Sequence, residues 1–378
     1  MVRVPGLALT DNPQVSLIRH GLVCCVVFAL ISLWLTRNAV ADPLVGSAEY
    51  EINQPTGNTT DTNTQSPLLS VMQSIVTVEA NVSSKARTAK NFGVMRSGSG
   101  VVLDSDGLVV TAGYLIAEAE SVAVTFSDGI KRTADVVAFD SVSGLGLIRV
   151  TGGQTTVPIA IGNSGKVAKG DLAMIIPASG ETGALAVKVG KIKKYSGGWE
   201  YIVDNALHTF PPTTEFTGAA LVSESAELLG VGGLVTIDID IDPKIRVPGN
   251  IFIPVNTLMS TIGQLLVDGR SQASHRPWIG LDTKNTKQGV AVSSFESDAP
   301  AKLSDLRGGD IIVAVSQKKV SNQIDFYEKI WKLYKPGEVV ELLVLRGDEY
   351  QSISVTSMDY YDWLHDPAQS TQLSELSE

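Results

Sequence analysis

The sequence predicts a β-rich fold of the barrel or sandwich class over residues 68–268, followed by a smaller second module. Short apolar runs alternate with turn signals throughout this region, a pattern typical of short antiparallel strands. Asp106-Gly107 and Asp128-Gly129 each separate two such runs, and this dipeptide favours the tight turn of a hairpin. The chain also has 35 glycines and is 44% hydrophobic, a composition that suits packed sheets joined by turns.

The N-terminus carries the pattern of a membrane-targeting segment. Arginines precede an apolar run over residues 21–35, and Ala39-Val40-Ala41 follows it. The run is shorter than the roughly 20 residues that a spanning helix needs. The pattern fits a signal peptide over residues 1–41 that is cleaved before Asp42, but the long segment before the apolar run is more typical of an uncleaved anchor, so neither is preferred. The alternative is an uncleaved anchor formed by the same run, and either interpretation places residues 42–378 outside the cytoplasmic membrane.

Charge and cysteine content exclude several classes of protein. The formal net charge is −10 at pH 7, whereas nucleic-acid binding needs clustered lysines and arginines. Cys24 and Cys25 are the chain's two cysteines, and both lie in the N-terminal apolar run. The exported part therefore has neither a disulfide framework nor a thiolate metal site. We expect no nucleic-acid partner, no cofactor and no metal.

Two segments flank the predicted strands. Residues 42–67 are polar, rich in threonine and asparagine and without periodicity, and they predict a flexible linker. Residues 256–268 predict a helix that Asn256 can cap. The predicted apolar stripe of this helix consists of Leu258, Ile262, Leu265 and Leu266.

A second module is predicted over residues 276–358. Its second helix spans Asp325–Tyr334 and ends before Pro336-Gly337, and VVELLVLR forms its last long strand. Residues 359–378 are polar and acidic, and we expect them to form a disordered tail.

Three segments of the first module resemble the HtrA/DegP family of trypsin-like serine proteases. They are GSGVVLDSDGLVVTAGYLIAEAESVAVTFSDG (98–129), DSVSGLGLIRV (140–150) and EFTGAALVSESAELLGV (215–231). The second module resembles the family's PDZ domain in WIGL (278–281) and LRGGDIIVAV (306–315). The resemblance implies two six-stranded barrels, at about 70–150 and 155–255, with the PDZ domain after them.

The residues that carry protease chemistry in this family are replaced. The resemblance puts Tyr114 at the position of the catalytic His, Gly144 at that of the Asp and Thr217 at that of the nucleophilic Ser. A tyrosine is largely protonated at neutral pH and accepts protons poorly, and glycine has no side chain to orient a base. The oxyanion loop is altered as well, because Glu215 replaces a glycine and Phe216 a small polar residue. All three triad positions are therefore expected to be degenerate.

The PDZ-like module keeps its binding machinery better. A PDZ domain adds an extended peptide to an open sheet edge, while backbone amides hold the terminal carboxylate. By resemblance, the candidate peptide-binding residues are Trp278, Ile279, Gly280, Leu281, Phe326 and Ile330. The first four form the carboxylate-binding loop, and the last two lie on the predicted helix beside the groove. One of these two is expected to pack in the core instead.

The sequence predicts a catalytically inactive, HtrA-like periplasmic protein that binds peptides or proteins as a scaffold or regulator of protein quality control. Expected partners are C-terminal or unfolded peptide segments, an active HtrA paralogue or further copies in a homotrimer, with the membrane contacted by residues 21–35. One alternative is a residual serine-type endopeptidase with Thr217 as nucleophile and His208, placed in a loop, as base. Another is a metal-handling or assembly factor that reuses the barrel. For that alternative, Asp238, Asp240 and Asp242 alternate along a strand and share one face, which could bind Ca²⁺ weakly. The favoured interpretation of the same pattern is a solvated strand face, with Ile237, Ile239 and Ile241 turned to the core.

Overall fold

The computed structural model describes most of the chain after the predicted linker. The described residues are 67–152, 156–178, 183–197, 200–242 and 245–364. Residues 1–41, with the predicted targeting segment, lie outside this range, as does all but the last residue of the linker. Within the described part, no helix is both long and apolar enough to cross a membrane.

Six antiparallel strands close the first barrel, in the order β1-β2-β3-β6-β5-β4. They are β1 (Ile75–Val82), β2 (Met95–Val102), β3 (Leu108–Ala112), β4 (Ala119–Thr125), β5 (Lys131–Asp140) and β6 (Leu145–Val150). Gly107 and Gly129 have φ of 80° and 78° in the β2–β3 and β4–β5 turns, which confirms both predicted hairpins. Three short helices accompany these strands: α1 (Pro67–Gln73), α2 (Ala89–Phe92) and α3 (Gly113–Ile116).

A second sheet has the order β11-β8-β9-β10-β13-β12-β7, and a β11–β12 pairing joins six of its strands into a ring. Its strands are β7 (Ala160–Ile161), β8 (Leu172–Ile176), β9 (Leu185–Ser196), β10 (Ile202–Phe210), β11 (Ala220–Val222), β12 (Glu227–Asp242) and β13 (Ile245–Pro254). Short β7 adds a seventh strand to the expected six and pairs in parallel with β12. The alternation predicted for β12 is wrong at Ile237, which is 62% exposed while Ile239 is buried. The β12–β13 register shifts between Thr236 and Ile239, and this bulge turns Ile237 outward.

Helix α4 (Val255–Asp268) follows the second sheet as predicted, but its capping differs from the prediction. Pro254 occupies the N-cap position, and Asn256 instead accepts a hydrogen bond from Ser164 N and donates one to Asn163. The predicted apolar stripe is wrong at Leu266, which is 44% exposed, because its side chain turns away from the face that buries Leu258 and Leu265.

The second module contains a sheet with the strand order β15-β16-β17-β19-β20, and β18 pairs with β17 outside this order. Strand β15 is therefore at an edge of the sheet. Its elements are β14 (Pro277–Trp278), β15 (Leu281–Asn285), β16 (Val290–Phe295), β17 (Ile311–Val315), β18 (Lys318–Lys319), α5 (Gln323–Leu333), β19 (Val339–Arg346), β20 (Glu349–Thr356), β21 (Met358–Asp359) and α6 (Tyr360–Leu364). Strand β19 has the limits predicted for VVELLVLR, but it is not the last long strand as predicted, because β20 of equal length follows it. Helix α5 begins two residues earlier than predicted, because the Asn322 side chain accepts a hydrogen bond from Asp325 N and caps it.

The prediction of a disordered tail is wrong for its first six residues. Strand β21 pairs with β14, and helix α6 follows it at once. Trp363 is only 3% exposed, its ring centroid lies 4.8 Å from that of Trp278, and its Nε1 donates to Ser297 O at 2.9 Å. Burial of this large apolar ring offsets the entropy lost on ordering the segment.

Trp363→Ala is expected to lower the free energy of unfolding by about 3–5 kcal/mol, because it leaves a cavity in a buried aromatic cluster. Urea unfolding followed by far-ultraviolet circular dichroism measures the change. Leu303→Ala is the control, since this leucine is 77% exposed and its loss should cost under about 0.5 kcal/mol. Equal losses in the two variants would contradict the packing role of Trp363.

Candidate functional site

Tyr114 and Thr217 meet between the two barrels. Tyr114 lies on α3 and Thr217 lies in the loop before β11, and their hydroxyl oxygens are 2.7 Å apart. The ring of Phe92 stacks on Tyr114 at 5.2 Å between centroids. The buried Arg96 fixes the backbone of α3 by donating to Tyr114 O at 2.7 Å and Ala117 O at 2.9 Å. Tyr114 is therefore fixed by contacts to its ring, its hydroxyl and its backbone carbonyl.

The environment of Tyr114 keeps its hydroxyl protonated. Burial raises the pKa of the Tyr114 phenol to about 12, and the hydrogen bond to Thr217 offsets only part of this effect. A neutral phenol at neutral pH cannot remove a proton from an alcohol, which is the task of the base in a serine-type active site. Tyr114 and Thr217 are therefore joined by a hydrogen bond between two neutral hydroxyl groups.

The backbone at Gly144 lies next to the same region and has no room for a side chain. Gly144 has φ of +72°, and its carbonyl accepts from Gly113 N, at the start of α3, at 2.8 Å. Tyr201 approaches from the loop before β10 and donates its hydroxyl to Ser143 O at 2.7 Å. A Cβ at position 144 would lie 2.2 Å from the Tyr201 hydroxyl oxygen. Tyr201 therefore fills the space into which a residue-144 side chain would point.

The loop that precedes β11 uses its amides internally. Glu215 N donates to the Thr213 hydroxyl at 3.1 Å, and Glu215 is not among the residues with positive φ. Gly218 has φ of +69° and donates its amide to Gly232 O at 2.8 Å, while Thr217 O accepts from Ser99 N at 2.8 Å. An oxyanion site needs amides directed at an open position. The amides of Glu215 and Gly218 donate to protein acceptors instead.

His208 does not lie in a loop, and the prediction of a loop position is wrong. It belongs to strand β10, where it pairs with Ile251 and is buried, because the Pro211-Pro212 turn begins only after the strand ends. Its Nδ1–H donates to Ala206 O at 3.0 Å, and its ring meets Tyr195 edge-on. In the described part of the chain, none of these contacts is shared with Thr217.

Asp238 is engaged by cations of the protein itself. Its carboxylate lies 3.2 Å from Arg246 Nη1 and 3.7 Å from Lys191 Nζ. Among the described residues, no group of three or more His, Cys, Asp or Glu side chains has an arrangement that could hold a metal ion. The described neighbours of Asp238 therefore form ion pairs on the surface of β12.

The predicted carboxylate-binding loop of the second module already holds a carboxylate. Oε1 of Glu200 accepts from Ile279 N at 2.9 Å and from Gly280 N at 2.7 Å, and the amide of Leu281 also contributes. Gly280 has φ of +74°, and a Cβ there would lie 2.2 Å from Ala299 Cβ, so only glycine fits this turn. Trp278 is 7% exposed and packs against the aromatic cluster of α6 rather than facing solvent.

Phe326 and Ile330 on α5 are both completely buried. They share a hydrophobic cluster with Ile202, which comes from the first module and follows Glu200 by two residues. Neither side chain is open to a peptide in this state.

Sequence reasoning missed Glu200, Tyr201 and Arg276. Arg276 donates to Glu200 O at 2.9 Å, and its guanidinium lies 3.7 Å from the Trp331 ring centroid. The one signal in the sequence is a glutamate placed among apolar residues just after two glycines, and that pattern is too common to identify a site. Glu200 lies about 80 positions before Ile279 and Gly280, whose amides it contacts. Local sequence patterns do not indicate contacts over such a separation.

Comparison with known proteins agrees with this architecture. Residues 98–231 match the trypsin-like peptidase domain, and residues 277–356 match the PDZ domain. The serine endoprotease DegS of Escherichia coli (strain K12) is 25% identical over 292 residues, which cover 70% of this chain and 77% of DegS. A "probable periplasmic serine endoprotease DegP-like" of Brucella suis is 24% identical over 286 residues, 68% of this chain and 52% of that protein.

This chain has a trypsin-like peptidase domain followed by a PDZ domain. Among solved structures, the HtrA-type protease AlgW with a decapeptide is 16% identical to it. That likeness covers 77% of this chain and 97% of AlgW, with a TM-score of 0.48.

Gly144→Ala in the peptidase domain is expected to lower the free energy of unfolding by about 2–4 kcal/mol. The substitution adds a Cβ at positive φ and drives it into the Tyr201 hydroxyl. Gly129→Ala is the matched control, because φ there is +78° but a Cβ would meet open space, and about 1–2 kcal/mol is expected. Urea unfolding of both variants makes the comparison, and equal losses would contradict the clash with Tyr201.

The peptidase domain should also lose stability in acid through His208. Burial, with Lys191 and Lys193 nearby, lowers the pKa of this histidine from 6.5 to about 4, although Asp238 opposes the shift. The unfolded chain takes up the proton first, so the stabilisation is complete above pH 6.5 and is lost as the pH falls toward 4. Urea unfolding at several pH values should therefore show a smaller acid loss in His208→Gln than in wild type. Parallel curves for the two proteins would show that His208 does not contribute.

Proposed function

We propose that this chain is a catalytically inactive HtrA-like protein that binds peptides or proteins in the periplasm, as a scaffold or regulator of protein quality control. The observation that carries the proposal is the hydrogen bond between Tyr114 and Thr217, with the Tyr114 phenol kept protonated by its surroundings. In this proposal the two hydroxyls occupy the base and nucleophile positions of the protease framework.

Loss of catalysis follows from three deficiencies together. The proposed nucleophile Thr217 has a neutral phenol as its partner instead of a base. Position 144 has no side chain to orient a base, and Tyr201 takes the adjacent space. The Glu215 amide donates to Thr213 rather than toward a developing oxyanion, and a carboxylate beside that charge would repel it. Loss of a triad member alone removes most of the activity, because the triad acts as a unit. Loss of one oxyanion donor costs a further factor of about 10²–10³.

The binding half of the proposal rests on the PDZ domain. Strand β15 is the edge of its sheet, which is where a PDZ domain adds a peptide as an extra strand. The amides of Ile279 and Gly280 converge on one carboxylate oxygen, which is the geometry that captures a peptide C-terminus. The proposed ligands are therefore C-terminal or unfolded peptide segments with a free carboxylate.

The proposed location is the periplasm, either as a soluble protein after cleavage near Ala41 or tethered by residues 21–35. Support comes from the order of charged, apolar and small residues at the N-terminus. The Brucella suis relative is also named as probably periplasmic. Association with an active HtrA paralogue, or as a homotrimer, is part of the same proposal.

The full-length chain is expected not to cleave casein, an unfolded substrate, above the buffer rate, and not to react with a fluorophosphonate probe. Loss of triad residues costs about 10⁴–10⁶-fold in rate. An active HtrA protease serves as the positive control. The double substitution Tyr114→His/Thr217→Ser should stay inactive as well, because residue 144 and the oxyanion loop remain altered.

Cleavage or labelling that disappears in Thr217→Ala would refute the proposal of inactivity and support the residual endopeptidase. His208→Ala would then identify whether this histidine acts as the base. Cleavage that persists in Thr217→Ala would indicate a contaminating protease.

A further inference from the structure

The PDZ domain of this chain already has an occupant, which the peptidase domain supplies. Glu200 lies in the loop before β10 and reaches the second domain, where its Oε1 accepts from two consecutive amides. The residue is only 6% exposed. Arg276, just before β14, donates to the backbone carbonyl of the same residue at 2.9 Å. A side-chain carboxylate thus sits where the terminal carboxylate of a peptide is proposed to bind.

A residue near Glu200 also occupies a place that a side chain of a bound peptide would take. Ile202, two residues later, packs into the cluster that contains Phe326 and Ile330 of helix α5. Gln323, at the start of α5, donates to Gly197 O at 3.4 Å and to Thr283 O of the edge strand β15 at 2.7 Å. The peptidase segment therefore provides both a carboxylate and an apolar side chain beside the groove between β15 and α5, the two features by which a peptide C-terminus is recognised.

The Glu200 carboxylate is bound by the PDZ domain, but its burial is only partly compensated, so a peptide carboxylate could displace it. Within the described residues, Oε2 of Glu200 is buried without a hydrogen-bond partner. Burial raises the pKa of Glu200 to about 7, and the amides of Ile279 and Gly280 with the charge of Arg276 offset only part of that effect. A buried carboxyl with one unsatisfied oxygen stabilises its contact weakly. A peptide carboxylate that satisfied both oxygens would compete with it well.

We propose that Glu200 and Ile202 form a built-in ligand of the PDZ domain, which a peptide C-terminus must displace in order to bind. This inference rests on the proposed function, because it assumes that the PDZ domain binds peptides with free carboxylates. It adds that the domain is closed in the resting protein and that peptide binding opens the contact between the two domains.

Displacement would also act on the peptidase domain. Tyr201 lies between the two residues that contact the PDZ domain, and its hydroxyl donates to Ser143 O beside Gly144. Movement of residues 200–202 out of the PDZ domain therefore pulls on the residue that fills the space at position 144. Peptide binding and the structure of the Gly144 region are coupled through three consecutive residues.

The test is a binding experiment on the full-length chain. The probe is a pool of fluorescein-labelled decapeptides that end in Val, Ile, Leu or Phe with a free carboxylate, followed by fluorescence anisotropy. The same pool with amidated C-termini reports binding that does not involve the carboxylate. Glu200→Ala frees the amides of Ile279 and Gly280, and it should bind the free-carboxylate pool at least about tenfold more tightly than wild type. The amidated pool should show no such gain.

Glu328→Ala is the matched control. This glutamate also bridges the two domains, since its Oε1 lies 2.6 Å from Lys194 Nζ, but it is on the surface and away from the carboxylate-binding loop. Its removal should change affinity by less than about threefold, because exposed ion pairs contribute little. If Glu200→Ala proves unfolded by circular dichroism, Glu200→Gln decides the question. It removes only the ionised acceptor, and a gain of about threefold is expected.

The outcomes separate the two proposals. Tighter binding by Glu200→Ala, with Glu328→Ala close to wild type, supports the built-in ligand. Equal affinity of wild type and Glu200→Ala for the free-carboxylate pool would overturn it and leave peptide binding intact. An equal gain in Glu328→Ala would also overturn it, because general loosening of the interface would then explain the effect. Binding by none of the proteins would refute the peptide-binding function and the built-in ligand with it.

Discussion

The side chain of Glu200 leaves the peptidase domain and places one carboxylate oxygen against the consecutive amides of Ile279 and Gly280. Other contacts between the two domains surround this one. Arg276 binds the backbone of Glu200, Ile202 enters the PDZ core, and Tyr201 reaches back toward Gly144. Three consecutive residues therefore contact both the loop that begins the PDZ domain and the backbone beside Gly144. Helix α6 makes a further contact with the peptidase domain, because the Tyr361 hydroxyl donates to Phe139 O on β5 at 2.6 Å.

Under the proposed function, the protease framework remains while new contacts replace the chemistry. A base and a nucleophile would exchange a proton at the position where Tyr114 and Thr217 now share a hydrogen bond between neutral groups. The space beside Gly144 belongs to Tyr201, and the amide of Glu215 is satisfied by Thr213. Each replacement is itself packed or hydrogen-bonded. The altered site is thus a stable structure in its own right, which suits a protein whose proposed work is binding.

Much of the fold could be predicted because its signals are local. The Asp-Gly turns and the apolar runs of the strands depend on neighbours in sequence, and the limits of the strand Val339–Arg346 agree with the prediction. Errors occurred where distant packing decides. A bulge turns Ile237 outward, and Trp363 finds a cluster that the polar character of the tail conceals. The carboxylate-binding loop could be predicted from its motif, but its occupant could not, because nothing near Glu200 in the sequence refers to the PDZ domain.

The close approach of Tyr201 to Gly144 bears on how such a protein changes over evolutionary time. An acidic side chain cannot be placed at position 144 while the Tyr201 ring is there, since the added Cβ would overlap its hydroxyl. Replacing Tyr201 first would abandon its hydrogen bond to Ser143 and open a buried void. Either order of single substitutions passes through a less stable intermediate. If the chain is the inactive protein proposed above, its fold therefore disfavours the single substitutions that would place a side chain at position 144 again.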